Sequence, residues 1–323
     1  MKKILAIDLG FGDTKCTLLT EDGTITNQFK FPSVIGITKK NEHVADKRIY
    51  DFKEHSYYVG ENALHLPSEN IIDISDYKNL EFYAPVLIYH AIKTLNIVPD
   101  MVVSGLSIAH INNSGYFKES ISKFECNNES FDFKNVYILP QGAGIKLTID
   151  KYGHNYPVPQ KEFLGNSTYV ISDIGQNTLD FILVTDGKTS PNLFTAIERE
   201  GLMKIGMLLS KKVKELHGRG ITLQEAKEIL DTGVYRLRGK KHDFKKYINE
   251  VKKDYIKNLI GLVETKYGKV IDKCDFLSLN GGGSSIFKST EDGFIRIPKN
   301  KNEYYNSIGY GLFGLDKLKD GIS

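Results

Sequence analysis

The chain has 323 residues, of which 41% are hydrophobic and 26% are charged, and its formal net charge is +3. The length suits two domains, the composition is that of a soluble globular protein, and so small a charge argues against nucleic-acid binding by the whole molecule. No apolar run approaches the roughly 18–20 residues that span a bilayer, and the solitary cysteines argue against zinc sites or a disulfide framework. We therefore expect a cytoplasmic protein without membrane contact.

The first predicted element is a β-hairpin. Residues 3–9 form an apolar run, and Glu21, Asp22 and Gly23 supply the turn into the next strand. The basic start has the character of a signal peptide, but Asp8 interrupts the apolar segment and no small-residue cleavage site follows. The run is therefore predicted to be a buried first strand.

The rest of the first unit is predicted to contain an insert, a helix and two strands. Residues 40–78 are polar and weakly periodic, which indicates a small irregular subdomain. Apolar residues recur at helical spacing over 80–96, which predicts a helix. The regular helix is expected to begin near Pro85, because proline is tolerated in the first turn of a helix but not in its interior. Strands are predicted over 100–108 and 134–140.

The second unit opens with a repeat of the first hairpin, over residues 169–188. Both copies have an apolar run, Asp-apolar-Gly, small polar residues with Thr, a second apolar run and Asp-Gly. The aligned pairs, with one residue of slack in the glycine loop, are Asp8 with Asp173, Gly10 with Gly175, Thr14 with Thr178 and Gly23 with Gly187. A hairpin built twice indicates two domains of common design.

Helices and one further strand follow the repeated hairpin. An amphipathic helix is predicted after Gly201, and a second one begins with a capping box at Thr222. Asp243 is the predicted N-cap of a long helix that ends at about Tyr267. Residues 274–285 form a strand that runs into three glycines, and the last predicted helix is expected to be broken by its glycines.

One segment of the second unit is strongly basic. Residues 201–257 contain fifteen Lys and Arg against seven Asp and Glu, so this segment carries +8 and the remainder −5. The charge is densest over 235–246. We expect a solvated helix-and-loop face there, and the alternative is a contact with a polyanion or an acidic partner surface.

The repeated order of hairpin, helices and strands favours two α/β domains, each with an inserted subdomain, and a binding cleft between them. Each glycine loop can turn its backbone N–H groups outward to hold phosphate oxygens. Asp8 and Asp173 end the strands before these loops, which suits a hydrated Mg²⁺ between them. Lys15 adds a cation directed at the phosphates.

Five segments, in this order, resemble the actin-like ATPases, a superfamily that includes the heat-shock chaperone ATPase domain and the sugar kinases. They resemble, in turn, the first phosphate loop, the first interdomain connector, the second phosphate loop, the adenosine motif and the second connector. The five segments are IDLGFGDTK (7–15), YILPQGAGI (137–145), ISDIGQNTLD (171–180), LSLNGGGSS (277–285) and YYNSIGYGLFG (304–314).

The resemblance implies an α/β fold of duplicated actin/ribonuclease-H-like domains with a nucleotide cleft between them. Domain I would comprise residues 1–140, with a small insert at about 40–78, and a return helix at about 303–323. Domain II would comprise residues 141–302, with a helical insert at about 203–268.

The resemblance also implies ATP in the cleft, with GTP not distinguished, and Mg²⁺ held through water by Asp8 and Asp173. Backbone groups of both loops would contact the phosphates, Lys15 would be the counter-charge, and three consecutive glycines would let the backbone approach the nucleoside. The cofactor-binding residues implied in this way are Gly10, Gly12, Asp13, Thr14, Lys15, Gly175, Gln176, Asn177, Thr178, Gly281, Gly282 and Gly283.

Two residues would take part in catalysis. Gln141 falls where the family places a residue that orients the attacking water, and Asp173 is the expected proton acceptor, because an amide cannot take a proton at neutral pH. The family often has an acidic residue in the second loop for the ribose, and Gln176 stands nearest that position here. The ribose contacts are therefore left unassigned.

Three functions fit this resemblance. The favoured one is a filament-forming actin, most like the ParM-type bacterial and archaeal plasmid-segregation actins, in which ATP·Mg drives head-to-tail polymerisation and hydrolysis destabilises the filament. Its partners would be further copies of the chain and an adaptor protein that links the filament to DNA. The alternatives are a non-polymerising nucleotide-dependent scaffold or chaperone-like regulator and a sugar-type kinase, whose compact members carry a zinc motif that these cysteines cannot form.

Overall fold

The computed structural model describes residues 1–38, 48–72, 74, 76–159 and 164–321. Its strands are β1 (Lys3–Leu9), β2 (Asp13–Thr20), β3 (Ile25–Pro32), β4 (Ile35–Thr38), β5 (Ile49–Phe52), β6 (His55–Val59), β7 (Ile71–Ile72), β8 (Met101–Leu106), β9 (Lys123–Cys126), β10 (Glu129–Asp132), β11 (Val136–Pro140), β12 (Tyr169–Ile174), β13 (Thr178–Thr185), β14 (Lys188–Glu198), β15 (Val234–Leu237), β16 (Lys240–Asp243), β17 (Phe276–Asn280) and β18 (Ile295–Arg296). Its helices are α1 (Tyr77–Leu95), α2 (Ser114–Ser122), α3 (Ala143–Tyr152), α4 (Leu202–His217), α5 (Leu223–Thr232), α6 (Lys245–Tyr267) and α7 (Tyr305–Asp320). Within these ranges, no helix is both long and apolar enough to cross a bilayer.

Two five-stranded sheets form the centres of the two domains and have the same topology. The sheet of domain I has the order β11-β8-β1-β2-β3, and the sheet of domain II has the order β14-β13-β12-β17-β18. In each, the first strand of the hairpin pairs antiparallel with the second strand and parallel with a later strand. The predicted fold class, a duplicated actin-like α/β architecture, is confirmed.

The register of the two hairpins corrects the alignment of their loops. Leu9 pairs with Thr14 in domain I, and Ile174 pairs with Leu179 in domain II, so the two glycine loops have equal length. Thr14 therefore corresponds to Leu179 and not to Thr178. The two hairpins differ in length at the opposite end, where the turn before β14 is residues 186–187 and the turn before β3 is residues 21–24.

The insert of domain I is more regular than its sequence suggested. Strands β4, β5, β6 and β7 form a four-stranded sheet in the order β5-β6-β4-β7. Buried tyrosines Tyr50, Tyr57 and Tyr58 hold it against the domain, and the prediction of an irregular subdomain missed them because tyrosines are common in polar surfaces too. Residues 40–47, 73 and 75 of the predicted insert lie outside the described residues.

Helix α1 begins earlier than predicted. It starts at Tyr77, where the Asp76 side chain accepts a hydrogen bond from the Lys78 backbone N–H, and Pro85 lies inside it. A proline in a helix interior loses one backbone hydrogen bond and strains the preceding turn. Here the apolar face outweighs that cost, because α1 is buried along most of the stretch from Ala84 to Ile92.

The helical part of domain II agrees with the prediction at most positions. The capping box of α5 is present, with Thr222 and Glu225 bonded reciprocally. Helix α6 begins at Lys245 with Phe244 at the N-cap position, one residue later than a cap at Asp243 requires. The Asp243 side chain still accepts a hydrogen bond from the Lys245 backbone N–H. The basic segment differs, because residues 234–243 form the β15–β16 hairpin and not a helix-and-loop face.

Helices α3 and α7 cross in direct contact where the chain passes between the domains. Residues in the first half of α7 pack with α3 under the sheet of domain II, and residues in the second half pack under the sheet of domain I. A Cβ on Gly309 would overlap the Gly144 carbonyl oxygen, and one on Gly311 would overlap Leu19. Local propensity predicted that these glycines would break α7. They do not break it, and they let it approach its neighbours closely.

Candidate nucleotide site

The two glycine loops face each other across a cleft of about 620 Å³ between the domains. They come into contact where a Cβ on Gly12 would lie 3.1 Å from the Gln176 Cβ. The residues predicted from the sequence that line this cleft are Asp8, Gly10, Gly12, Asp13, Lys15, Gln141, Asp173, Gly175, Gln176, Thr178, Gly281, Gly282 and Gly283. The duplicated hairpins thus place their Asp-and-glycine ends around one space.

Thr14 and Asn177 differ from the other predicted residues. Thr14 is buried in the strand ladder, and its hydroxyl lies 2.8 Å from the Ser33 hydroxyl. The Asn177 carbonyl accepts a hydrogen bond from the Gly201 backbone N–H. Neither residue lines the cleft.

The backbone of the second loop is oriented by helix α4. The carbonyls of Gly175, Gln176 and Asn177 accept hydrogen bonds from the N–H groups of residues 202, 203 and 201, at 3.0, 3.0 and 3.1 Å. In a trans peptide the N–H points opposite to the C=O of the same peptide unit. The N–H groups of Gln176, Asn177 and Thr178 therefore point away from α4. Such a row of N–H groups suits a polyanion.

Asp8 lies at the floor of the cleft with two polar neighbours. The Gln141 Nε2 donates to Asp8 Oδ1 at 2.9 Å, and the Lys15 Nζ lies 3.7 Å from Asp8 Oδ2. Burial alone would lower the pKa of Lys15, but the carboxylates of Asp8, Asp13 and Asp173 outweigh it and raise the pKa. Lys15 is therefore a permanent cation at this point.

Asp173 occupies the equivalent position in domain II. Its Oδ2 accepts a hydrogen bond of 2.6 Å from Asn306 Nδ2, and Asn306 Oδ1 accepts one of 2.9 Å from the Gly142 backbone N–H. Burial and the carboxylates of Asp8 and Asp180 raise the pKa of Asp173 to about 7. The two connectors between the domains thus meet at this carboxylate, which titrates near neutral pH.

Asp180 is a functional candidate that the sequence reasoning missed. Its Oδ1 accepts hydrogen bonds from the Ser107 hydroxyl at 2.8 Å and from the Ile108 backbone N–H at 2.9 Å, both in domain I. Burial raises its pKa to about 6, although these hydrogen bonds oppose the shift. Asp180 pairs with Asp173 in the β-ladder as Lys15 pairs with Asp8, so a correct loop alignment would have revealed it.

A second contact joins the domains beside Asp180. His110 Nε2 lies 3.3 Å from Glu198 Oε1, which is on β14 of domain II. The His110 ring stacks on Tyr77, with centroids 4.6 Å apart. The segment that follows β8 therefore contacts domain II at two acidic side chains.

The three consecutive glycines have different roles. A Cβ on Gly281 would overlap Asp173 Oδ1, and one on Gly283 would overlap the Ile174 side chain, whereas one on Gly282 would meet nothing within 4 Å. Gly281 also has a φ of +79°. All three line the cleft, and Gly281 and Gly283 have no space for a side chain because they pack on the second strand end.

The far end of the cleft was not assigned from the sequence. Met203 and Gly206 of α4, Leu230 of α5 and Ile286 contribute apolar surface to the lining, and Lys227 and Asp231 of α5 contribute charged groups. A flat ring system fits surroundings of this kind. No periodicity distinguishes these residues from ordinary helix positions, which explains why they were missed.

The donor set at the cleft floor is compatible with magnesium. Asp8 and Asp173 are both buried, and their repulsion contributes to the raised pKa of Asp173. A cation between them would relieve that repulsion. Among the residues the structure describes, no three His, Cys, Asp or Glu side chains gather as a metal centre, so the ion would have to keep several waters, as Mg²⁺ does.

Both parts of the chain match family models. Residues 6–144 match the N-terminal domain of actin-like proteins, and residues 171–291 match the C-terminal domain of archaeal MreB-like actin homologues. No curated protein matches the chain. The glycine loops that follow β1 and β12 fall inside these two matches.

Solved structures share the whole fold. Ta0583, an archaeal actin homologue, superposes with a TM-score of 0.75 at 19% identity, over 98% of this chain and 99% of that one. A ParM filament from Clostridium botulinum gives 0.71 at 19% identity, with the same shares covered. ParM of Bacillus thuringiensis with ATP gives 0.62 at 16% identity, again over 98% and 99%. At these identities, the likeness shows a common fold.

Proposed function

We propose that this chain, which belongs to the actin-like proteins, is an ATPase that assembles into filaments and holds ATP and Mg²⁺ between its domains. The observation that carries the proposal is the contact of the two glycine loops, Gly12 against Gln176, with Asp8 and Asp173 at the floor of the same cleft. Two loops that face one space can bind a polyphosphate from both domains at once.

Similar proteins support nucleotide binding and assembly. Ta0583 has been solved in complex with ADP, and Bacillus thuringiensis ParM with ATP. ParM of Clostridium botulinum and Alp12 have been solved as filaments, and the latter is 16% identical with a TM-score of 0.63. Plasmid or DNA segregation, or cytoskeletal positioning, would be the cellular use of such a filament, with an adaptor protein as the link to the cargo.

The phosphates would bind to backbone groups of both loops. The N–H groups of Gln176, Asn177 and Thr178 point away from α4, and the Gly12 carbonyl is held by the Ser33 backbone N–H at 2.9 Å. Lys15 would neutralise phosphate charge from domain I. Mg²⁺, when bound, would be held through water by Asp8 and Asp173 and would neutralise further phosphate charge.

Hydrolysis would use Gln141 and Asp173. Gln141 is fixed by its hydrogen bond to Asp8, so its amide is placed to orient a water at the cleft floor. An amide cannot take the proton of that water, whereas the carboxylate of Asp173 can accept it. Asn306 keeps the Asp173 carboxylate in one orientation.

Nucleotide would control assembly through the position of the domains. ATP would contact both domains and would therefore favour the closed cleft. The equilibrium between open and closed forms would shift by as much as ATP binds the closed form more tightly than the open one. Subunits in that state would associate head to tail, a heterologous contact that grows a filament instead of a closed ring. Hydrolysis removes one contact between the domains and weakens the lattice.

Light scattering at tens of micromolar protein tests this proposal. Scattering should rise after addition of Mg·ATP and fall as ATP is consumed, whereas Mg·ADP alone should give a smaller rise or none. Negative-stain microscopy of the same samples should show filaments, and Mg·GTP in place of Mg·ATP tests base preference. A flat trace, together with normal ATP binding by calorimetry, would contradict polymerisation and favour a nucleotide-dependent scaffold.

A further inference from the structure

Tyr310 is a buried tyrosine of α7 whose hydroxyl has no use in the chemistry above. Its exposed fraction is 0%, and its hydroxyl has no hydrogen-bond partner among the residues that the structure describes. The ring occupies a slot between two glycines. A Cβ on Gly105, near the end of β8, would overlap the hydroxyl, and one on Gly144, in α3, would lie 2.7 Å from Tyr310 Cε1.

The hydroxyl of Tyr310 lies against Gly105, a residue that lines the cleft. Burial raises the pKa of Tyr310 well above its ordinary value, and the carboxylates of Asp8, Asp173 and Asp180 raise it further. The group therefore stays protonated at neutral pH and is a permanent donor. Three carboxylates from both domains act on a donor that bonds to none of them in this arrangement.

A buried donor without a partner is costly, so its retention calls for an explanation. Proteins bury few such groups, and removing a hydroxyl that has no partner costs little or stabilises the fold. Here Gly105 leaves room for the hydroxyl, and Gly144 lies beside the ring, although a Cβ on Gly144 would first meet the Asn306 carbonyl oxygen. The unpartnered hydroxyl would be explained if it gained an acceptor in another arrangement of the domains.

The position of α7 shows how the acceptor would be reached. Tyr305 and Ile308 pack in the cluster under domain II, and Tyr310 and Leu315 pack in the cluster under domain I. A rotation of one domain against the other therefore moves the Tyr310 hydroxyl relative to Asp173 and Asp180, which belong to domain II.

We propose that Tyr310 is a positioning residue whose hydroxyl donates to a carboxylate of the cleft floor in the nucleotide-loaded arrangement, and thereby couples nucleotide binding to the α3–α7 crossing. The proposal rests on the proposed nucleotide function. Its acceptor is one of Asp8, Asp173 and Asp180. A donor that is satisfied only with nucleotide present adds to nucleotide affinity without adding to the stability of the free protein.

The test compares Tyr310→Phe with Tyr305→Phe. Tyr305 is also a buried tyrosine of α7, but its hydroxyl already donates to the Gly153 carbonyl at 3.2 Å. Each protein is melted with and without Mg·AMP-PNP, and affinity for Mg·AMP-PNP is measured by calorimetry. Tyr310→Phe should leave the melting temperature of the free protein unchanged or raised and weaken binding about tenfold, the value of one hydrogen bond to a charged group.

The control and the parent protein separate the outcomes. Tyr305→Phe should lower the melting temperature equally with and without nucleotide and change affinity less than about twofold. Equal affinity in Tyr310→Phe and the parent would overturn the coupling role. So would a loss of stability in free Tyr310→Phe equal to that with nucleotide, because the hydroxyl would then be bonded in both states. Absence of Mg·AMP-PNP binding by the parent would overturn the nucleotide function itself and this proposal with it.

Amide hydrogen exchange supplies a second readout of the same proposal. In the parent protein, Mg·AMP-PNP should slow exchange over residues 105–108 and 305–312, on both sides of the slot. In Tyr310→Phe this added protection should be lost while protection in the glycine loops is kept. Full protection of both segments in the variant would overturn the proposal.

Discussion

The residue pairs at the loop ends of the two hairpins differ in their charges. Asp8 lies opposite Lys15 in domain I, and Asp173 lies opposite Asp180 in domain II. The first pair is an ion pair, whereas the second consists of two buried carboxylates. Burial raises the pKa of both, and the charge of Asp180 raises the pKa of Asp173 further. The acidic pair is thus prepared to take up protons or a cation, and this asymmetry gives domain II the proton acceptor.

The substitution Asp173→Asn should abolish most hydrolysis and retain nucleotide binding. An amide of the same shape can keep the hydrogen bond with Asn306 but cannot accept a proton, so phosphate release should fall by about 10²-fold or more. Filaments should then last longer after addition of Mg·ATP. Asp272→Asn, on the surface, is the control. Equal phosphate release in the variant and the parent would show that Asp173 is not the proton acceptor.

The same carboxylate should make stability depend on pH in the protein without nucleotide or magnesium. The pKa of Asp173 is raised from 3.8 to about 7, so between these values the folded protein holds a proton that the unfolded chain has lost. The free energy of unfolding should therefore receive a contribution that falls as pH rises from about 4 to about 7. Urea unfolding at several pH values checks this, and Asp173→Asn should flatten the dependence. Parallel curves for the two proteins would contradict the raised pKa.

At the scale of elements, the crossing of α3 and α7 depends on glycine at the contact. Gly309 meets the Gly144 carbonyl so closely that a methyl group has no space. Because Gly311 and Gly314 lack side chains, α7 also packs closely against the side chains of Leu19 and Ile4. Tertiary packing here outweighs the local cost of glycine in a helix, about 1 kcal/mol per residue relative to alanine.

The substitution Gly309→Ala should therefore destabilise the protein by about 1–3 kcal/mol, because the added methyl group forces the two helices apart. Gly261→Ala in α6 is the matched control, since a Cβ there meets nothing within 4 Å. The control should stabilise the protein by about 0.5–1 kcal/mol through helix propensity. Chemical denaturation of both variants checks the pair. If Gly309→Ala proved as stable as Gly261→Ala, the close crossing would be wrong.

Elements with a local signal were predictable from the sequence, and contacts between distant segments were not. The hairpins followed from apolar runs that end in Asp-x-Gly, and the α5 cap followed from Thr222 and Glu225. The bond of Asn306 to Asp173 joins residues 133 positions apart, and no local pattern announces it. The glycines of α7 were misread for the same reason, since their neighbours come from α3 and from the sheet of domain I.

At the scale of the whole molecule, positive charge is concentrated in one segment of the chain. The basic segment 201–257 carries +8 against −5 elsewhere. Its hairpin exposes Arg236, Arg238, Lys240 and Lys241, and the structure gives none of these four a carboxylate partner within the described ranges. An acidic surface, either of a second copy or of an adaptor, would complement this hairpin.

Charge reversal in the hairpin should therefore weaken assembly. The double change Lys240→Glu with Lys241→Glu should raise the protein concentration needed for filaments, and the parent should assemble less readily as salt is added. Lys240→Arg with Lys241→Arg keeps the charge and is the control. Pelleting by ultracentrifugation measures the critical concentration. Unchanged assembly in the reversed variant would indicate a solvated face without a partner.

The position of α7 has a consequence for how the chain folds during translation. Ile4, Leu19 and Val103 lie on the underside of the first sheet, and α7, which is translated last among the described helices, covers them. Domains generally fold in order as they leave the ribosome. The apolar underside of the first sheet therefore stays exposed while domain II is synthesised. A nascent chain halted before residue 305 should accordingly bind chaperones.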